Sequence, residues 1–220
     1  MNAMCNRFRG VDTLNDLPRV YDFGRINFEY NPNVAPTESV PALLAERGQE
    51  VRVQMARFGI ALGPTKTAGA RPPLLNSRMD TLRNGSFRAM VADRHCIIPA
   101  QGFYEWREEG GNKQPYYFYR RDGKPILFAG IWSISEHKGD KMASFSILTD
   151  EPNELVAPYH DRMPVIVDDP EPWLALEGLD HLKPLGLEMF AVRPLSRAVN
   201  NVREKRIDII EGDDPPVRLV

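Results

Sequence analysis

Cysteine is nearly absent from this chain: Cys5 and Cys96 are the only two in 220 residues, and no Cys-x-x-Cys occurs. That excludes a disulfide framework and a thiolate zinc site, and it fits a reducing cytosol. Long apolar runs are missing as well. No stretch approaches the roughly 20 residues that span a bilayer, and the N-terminus carries no signal-peptide core, so no membrane partner is expected. Internal repeats and a Pro- or Gly-rich linker are also lacking, although 19 prolines and 16 glycines are spread along the chain. Hydrophobic residues at 42% still suffice for one medium-sized core.

Acidic residues are scarce in one region. Between Val51 and Tyr104 eight lysines and arginines face only Asp80 and Asp93, while the whole chain carries a net charge of −2. A local cationic surface of that kind suits an anionic polymer. Solvated arginines scattered over several faces are the plainer alternative.

Short β-branched or aromatic runs bounded by turn residues predict strands at Arg52–Phe58, His95–Pro99, Pro115–Tyr119, Ile126–Trp132, Ser144–Leu148, Pro164–Val167 and Met189–Val192. RRDGKP (120–125) and SEHKGDK (135–141) predict hairpin turns. Helices are expected at Asp12–Leu17, at Asp80–Ala92 with a break near Gly85, at Glu151–Ala157 and at Pro170–Leu176. Many short strands without a βαβ rhythm predict a single β-rich α+β domain over residues 4–211, built on a bent antiparallel sheet or partial barrel. Residues 1–3 read as an added leader, because Met4 offers a second start, and residues 212–220 as a loose tail.

Four local patterns carry candidate chemistry: Met4-Cys5, PPLLNSRMD (72–80), IIPAQGFYEW (97–106) and PYHDRMP (158–164). Each has an ordinary reading. A cysteine near a terminus can be a small apolar residue, Asn76 a cap, Glu105 an exposed strand-end acid, and His160 a hydrogen-bonding scaffold. Flanked by Tyr104 and Trp106, Glu105 is equally a candidate for desolvation and acid–base use. Cys96, mid-strand between apolar residues, reads as core.

Taken in order, MCNRF, NVAPT (33–37), NSRMD (76–80), IIPAQGFYEW, HDRMP (160–164) and PLSRAVNNV (194–202) resemble the SOS response-associated peptidase (SRAP) family of abasic-site crosslinking proteins. The resemblance implies a β-rich fold with a positively charged groove. It implies that Cys5 becomes an N-terminal nucleophile once Met4 is removed, with Asn76, Glu105 and His160 completing the active site. It implies that Arg7, Arg78 and Arg162 hold the DNA backbone, that single-stranded DNA with abasic sites is the partner, and that neither metal nor other cofactor is needed. The protein is then a cytoplasmic monomer that associates with the nucleoid through its DNA. Two departures stand out. Asn6 occupies a position where the family usually has glycine, and Phe58 stands for a tryptophan that stacks beside unpaired bases, with no aromatic between Ile60 and Asn76.

The chemistry is sound on its own terms. An α-amine titrates well below a lysine and is partly neutral near pH 7, so it attacks the open-chain aldehyde of an abasic sugar. A thiol on the next carbon then closes a ring. Two other classes remain open: a non-enzymatic single-stranded DNA-binding module, and a thiol peptidase using Cys5 and His160.

Overall fold

The computed structural model describes residues 6–15, 26–62, 71–84, 88–137 and 140–211. In chain order its elements are β1 (Phe8–Gly10), β2 (Ser39–Glu46), β3 (Arg52–Phe58), β4 (Asn76–Arg78), α1 (Met79–Asn84), α2 (Arg88–Asp93), β5 (Arg94–Glu109), β6 (Asn112–Arg120), β7 (Ile126–His137), β8 (Asp140–Asp150), β9 (Met163–Pro164), β10 (Ile166–Val167), α3 (Glu171–Leu174), β11 (Phe190–Pro194) and α4 (Ile207–Glu211), with short 3₁₀ turns between the later ones. All eleven strands belong to one sheet. Most ladders are antiparallel, but β8 carries β3 and β4 in parallel, so the sheet is mixed. Pairing runs β7–β8–β3–β2–β5, and β5 also pairs with β7, which bends the sheet into a partial barrel.

The apolar runs that do not alternate belong to strands covered on both faces, as two-sided burial requires. In β5, Cys96, Ile98 and Ala100 point to a core inside the bend with Phe8, Phe58, Phe128 and Phe145. Ile97 points outward to a second core under α1, α2 and α3, with Leu82, Val91 and Trp173. Cys96 is fully buried, and burial pushes its thiol well above the ordinary value, as a core cysteine requires.

β5 is sixteen residues long and changes neighbours midway. Its first half pairs with β2 and β7, and its second with β1 and β6. Gly102 lies at the change: a Cβ there would meet the Phe118 carbonyl oxygen at 2.3 Å and the Tyr117 ring at 2.5 Å. The β5–β6 hairpin closes through Gly110 and Gly111, both at positive φ, in the two-residue geometry that glycine favours.

Every expected strand is present, Pro164–Val167 as two short pieces, β9 paired with β8 and β10 with β7. SEHKGDK joins β7 to β8 as a hairpin whose register ends at His137↔Asp140, with residues 138–139 outside the described residues. RRDGKP is a turn but not a hairpin. β6 and β7 run in the same direction along β5, so the turn carries the chain onward and does not return it. Glu151–Ala157 is a series of turns, not the expected helix. The Asn153 side chain accepts the Leu155 and Val156 amides as an N-cap does, and the Ala157 N–H returns to the Asn153 carbonyl at 2.9 Å, but Pro158 follows at once and stops the chain after that turn. Asp12–Asn15 forms bends, with the rest of that expected helix, the break near Gly85, the leader 1–3 and the tail 212–220 outside the described residues. Among the described residues no helix is long and apolar enough to cross a membrane.

The arginines between Val51 and Tyr104 do not form one patch. Arg57 is buried, Arg52 and Arg94 pair with Glu46 and flank the Trp132 ring, Arg83 pairs with Asp180, and Arg78 pairs with Asp80.

Candidate active site and nucleic-acid interface

The described chain starts at Asn6, and Cys5 lies outside the described residues. From Asn6 the chain enters β1 beside β5, where Phe8 faces Phe103 and the Tyr104 N–H donates to the Arg7 carbonyl. Continuing that antiparallel register by two residues sets Asn6 level with Glu105. Asn6 also meets the next candidate directly, since Asn76 Nδ2 donates to Asn6 Oδ1 at 3.4 Å.

Asn76 opens β4, whose parallel pairing sets Asn76, Ser77 and Arg78 against Ile147, Leu148 and Thr149 of β8. Ser77 anchors the strand from behind through Ser146 Oγ at 2.8 Å. Arg78 therefore projects outward. It is exposed and grips Asp80 with two prongs, Nε–Oδ1 at 3.1 Å and Nη2–Oδ2 at 2.7 Å. That contact holds the Arg78 guanidinium above its ordinary value, with Asp161 adding a smaller attraction, and holds the Asp80 carboxyl far below the usual carboxylate range.

On the far side of β8, Thr149 faces Pro164 of β9. Arg162, just before β9, donates from Nη2 to the Thr149 carbonyl at 2.7 Å. Its Nε is buried and, among the described residues, has no hydrogen-bond acceptor. Arg78 and Arg162 are thus held on either side of one strand end.

Glu105 is 3% exposed. Strand alternation sends Tyr104 and Trp106 to the opposite face, so the aromatics beside it in sequence are not what buries it. Cross-strand pairing with Tyr116, and the neighbouring Phe103 and Phe118, place it on the inner, aromatic face. Tyr159 packs onto that same face, 4.6 Å from Tyr116 and 5.1 Å from Phe118 between ring centroids, and so brings in the turn carrying His160. Arg107 caps the pair, lying 5.0 Å from Tyr116 and 5.2 Å from Tyr159.

His160 is part-buried and has two partners at one nitrogen. Its Nδ1 accepts the Arg162 N–H at 3.1 Å and lies 2.9 Å from Asp161 Oδ1. A neutral ring protonated on Nε2 accepts the Arg162 N–H at Nδ1.

Two candidates sit elsewhere than expected. Phe58 is fully buried, stacked on Phe145 at 5.2 Å and edge-on to Phe8, so no face of its ring is open to a base: it is a core residue. Arg7 is 6% exposed, and its guanidinium donates inward, to Asn33 Oδ1 and the Val199 carbonyl. Tyr116, Tyr159 and Thr149 were not singled out from the sequence. Of these only Tyr159 carried a signal, its position directly before His160. Among the described residues no three His, Cys, Asp or Glu side chains converge as a metal site.

The family model described as SOS response associated peptidase (SRAP) matches residues 4–202. The chain belongs to the SRAP family. Among its SRAP relatives, abasic site processing protein YedK of Escherichia coli (strain K12) is 31% identical, the match covering 94% of this chain and 99% of YedK. Abasic site processing protein YoaM of Bacillus subtilis (strain 168) is 29% identical, with 96% and 99% covered. Abasic site processing protein HMCES of Gallus gallus is 31% identical over 58% of this chain and 47% of HMCES. A crystal structure of a Bordetella bronchiseptica protein shares the fold with a TM-score of 0.69 at 24% identity, covering 86% of this SRAP chain and 99% of that one.

Proposed function

We propose that this SRAP protein recognises an abasic site in single-stranded DNA and joins to it covalently through Cys5, acting as a monomer once Cys5 is the first residue. The observation that carries the proposal is the meeting of Asn6 with Asn76 at the level of buried Glu105. Cys5 is one peptide bond from Asn6, and in this reading its amine acts beside the Glu105 carboxyl and the Asn76 amide. The names of the relatives supply the substrate class.

The reaction balances without a cofactor. The neutral α-amine adds to the aldehyde carbon of the ring-opened sugar, and loss of one water gives an imine. The Cys5 sulfur then adds to the imine carbon while its proton passes to the nitrogen, closing a five-membered thiazolidine. Glu105 is suited to carry protons during ring opening and dehydration, and His160 to act as the second acid–base group. Asn76 orients the sugar oxygen or the amine without adding charge. Arg78 and Arg162 bind the flanking phosphates.

Intact-mass spectrometry of protein beginning at Cys5, incubated with a single-stranded oligonucleotide bearing one abasic site, tests this reading. The expected product is protein plus oligonucleotide minus one water, stable to denaturation and absent for Cys5→Ala. Salt-sensitive binding without that product would leave a non-covalent DNA-binding module. The family name also raises peptidase chemistry. An adduct lost on acetylating the α-amine argues against a thiol peptidase, which needs only the Cys5 sulfur.

A further inference from the structure

β1 is three residues long, too short a strand to hold a chain end by itself. Its inner face carries Phe8 into the core, and by alternation Asn6 shares that face with Glu105. Arg7 points the other way, through to the outer face, where its guanidinium lies 5.9 Å from the Trp106 ring. There Asn33 and the Val199 carbonyl receive it. Asn33 Oδ1 accepts Arg7 Nε at 2.9 Å, while Asn33 Nδ2 donates toward the carbonyls of Val199, Asn201 and Glu204 at 3.3, 3.2 and 3.0 Å.

Asn33 is itself fixed on every side. It is fully buried, its N–H donates to Asn31 Oδ1, and its carbonyl accepts Lys205 Nζ, which also pairs with both oxygens of Glu38 at 2.9 Å. Glu38 in turn accepts Asn31 Nδ2 and the Ala35 N–H. The segments NVAPT and SRAVNNV, far apart in sequence, thus form one clamp around a side chain two residues from Cys5. A strand pegged on its outer face cannot roll or slip by one residue, a movement that would exchange its faces.

We propose that Asn33, acting through Arg7, is a positioning residue for the covalent reaction, setting where residue 5 is presented to Glu105 and Asn76. The inference rests on the Cys5 chemistry proposed above. It gives Arg7 a role inside the protein in place of a phosphate contact.

Wild type, Asn33→Ala, Asn33→Asp and Arg7→Lys, all beginning at Cys5, are compared in three assays. These are single-turnover adduct formation with the abasic oligonucleotide, equilibrium binding of an oligonucleotide with an unreactive tetrahydrofuran site, and reaction of the N-terminus with glyoxylate. Misplacement by about 1 Å is expected to slow adduct formation by roughly 10²-fold. Analogue binding and the glyoxylate reaction, which need no alignment with Glu105, stay at wild-type values. Asn33→Asp, which keeps the acceptor for Arg7, is expected to retain more activity than Asn33→Ala. A merely structural role lowers all three readouts together and overturns the proposal, as does adduct formation at the wild-type rate. Should Asn33→Ala not fold, Arg7→Lys, which keeps the charge but loses the fork, gives the same reading. A wild type that forms no adduct defeats the covalent function and this inference with it. An active wild type with unaffected variants defeats the positioning role alone.

Discussion

The His95 imidazole lies flat against the Trp173 indole, ring centroids 3.4 Å apart and planes 9° from parallel. Both ring nitrogens face backbone carbonyls, Nδ1 that of Trp173 and Nε2 that of Val91, so one residue ties α3 and α2 to the sheet. Burial lowers the His95 pKa, and the two carbonyls, which favour an imidazolium, only partly offset it; Arg47 lowers it further and Asp93 opposes. In the unfolded chain the ring takes up a proton near pH ~6.5, whereas the folded protein resists until a lower pH. The unfolded state therefore binds more protons in that window, and stability falls as pH drops through it. Thermal melts of wild type and His95→Gln between pH 8 and 5 check this: the wild-type melting temperature is expected to fall more steeply below pH ~6.5, and parallel curves would count against it.

Phe58 is expected to matter for stability and not for DNA. Fully buried against Phe145 and Phe8, its truncation leaves a large cavity. Phe58→Ala should cost about 3–5 kcal/mol in urea unfolding, while the fraction that remains folded binds single-stranded DNA as wild type does. A loss of affinity without a loss of stability would return Phe58 to the interface.

How far the sequence reveals the fold depends on what each element answers to. Arg52–Phe58 is a strand over those very residues because its residue types and bounding turns act locally. RRDGKP reads as a hairpin because turn chemistry is local too, yet which strand lies beside which is decided by β5, whose sixteen residues serve four partners. The site follows the same division. Glu105 is visible as a candidate, but its cross-strand partner Tyr116 comes from β6, and Tyr159, which packs on that partner, lies 54 positions from Glu105. Phe58 was misread because aligning an aromatic says nothing about which way its strand faces. The role of Asn33 lay hidden because its partners are 166 to 171 residues distant.

Arg78 and Asp80 offer a gain-of-function test. Their ion pair is solvent-exposed, so breaking it should leave stability almost unchanged. Arg78→Ala is expected to weaken single-stranded DNA binding and to reduce the slope of log K against log salt by about 1. Asp80→Asn releases the guanidinium and removes a carboxylate from the phosphate path, so it should tighten binding. Salt titrations by fluorescence anisotropy decide, and an Asp80→Asn variant with wild-type affinity would move the DNA track away from β4.

Glu105→Gln separates chemistry from shape. The amide has nearly the same volume as the carboxyl and still hydrogen-bonds, so the β5–β6 face and the Tyr116–Tyr159 packing should persist, and binding to the tetrahydrofuran oligonucleotide should be unchanged. What the amide cannot do is exchange a proton during sugar ring opening and loss of water. Loss of a positioned acid–base group slows such steps by roughly 10²–10⁴-fold, and that is the drop expected in the single-turnover rate. A Glu105→Gln variant that forms the adduct at the wild-type rate would remove Glu105 from the proton transfer and leave that role to another group such as His160.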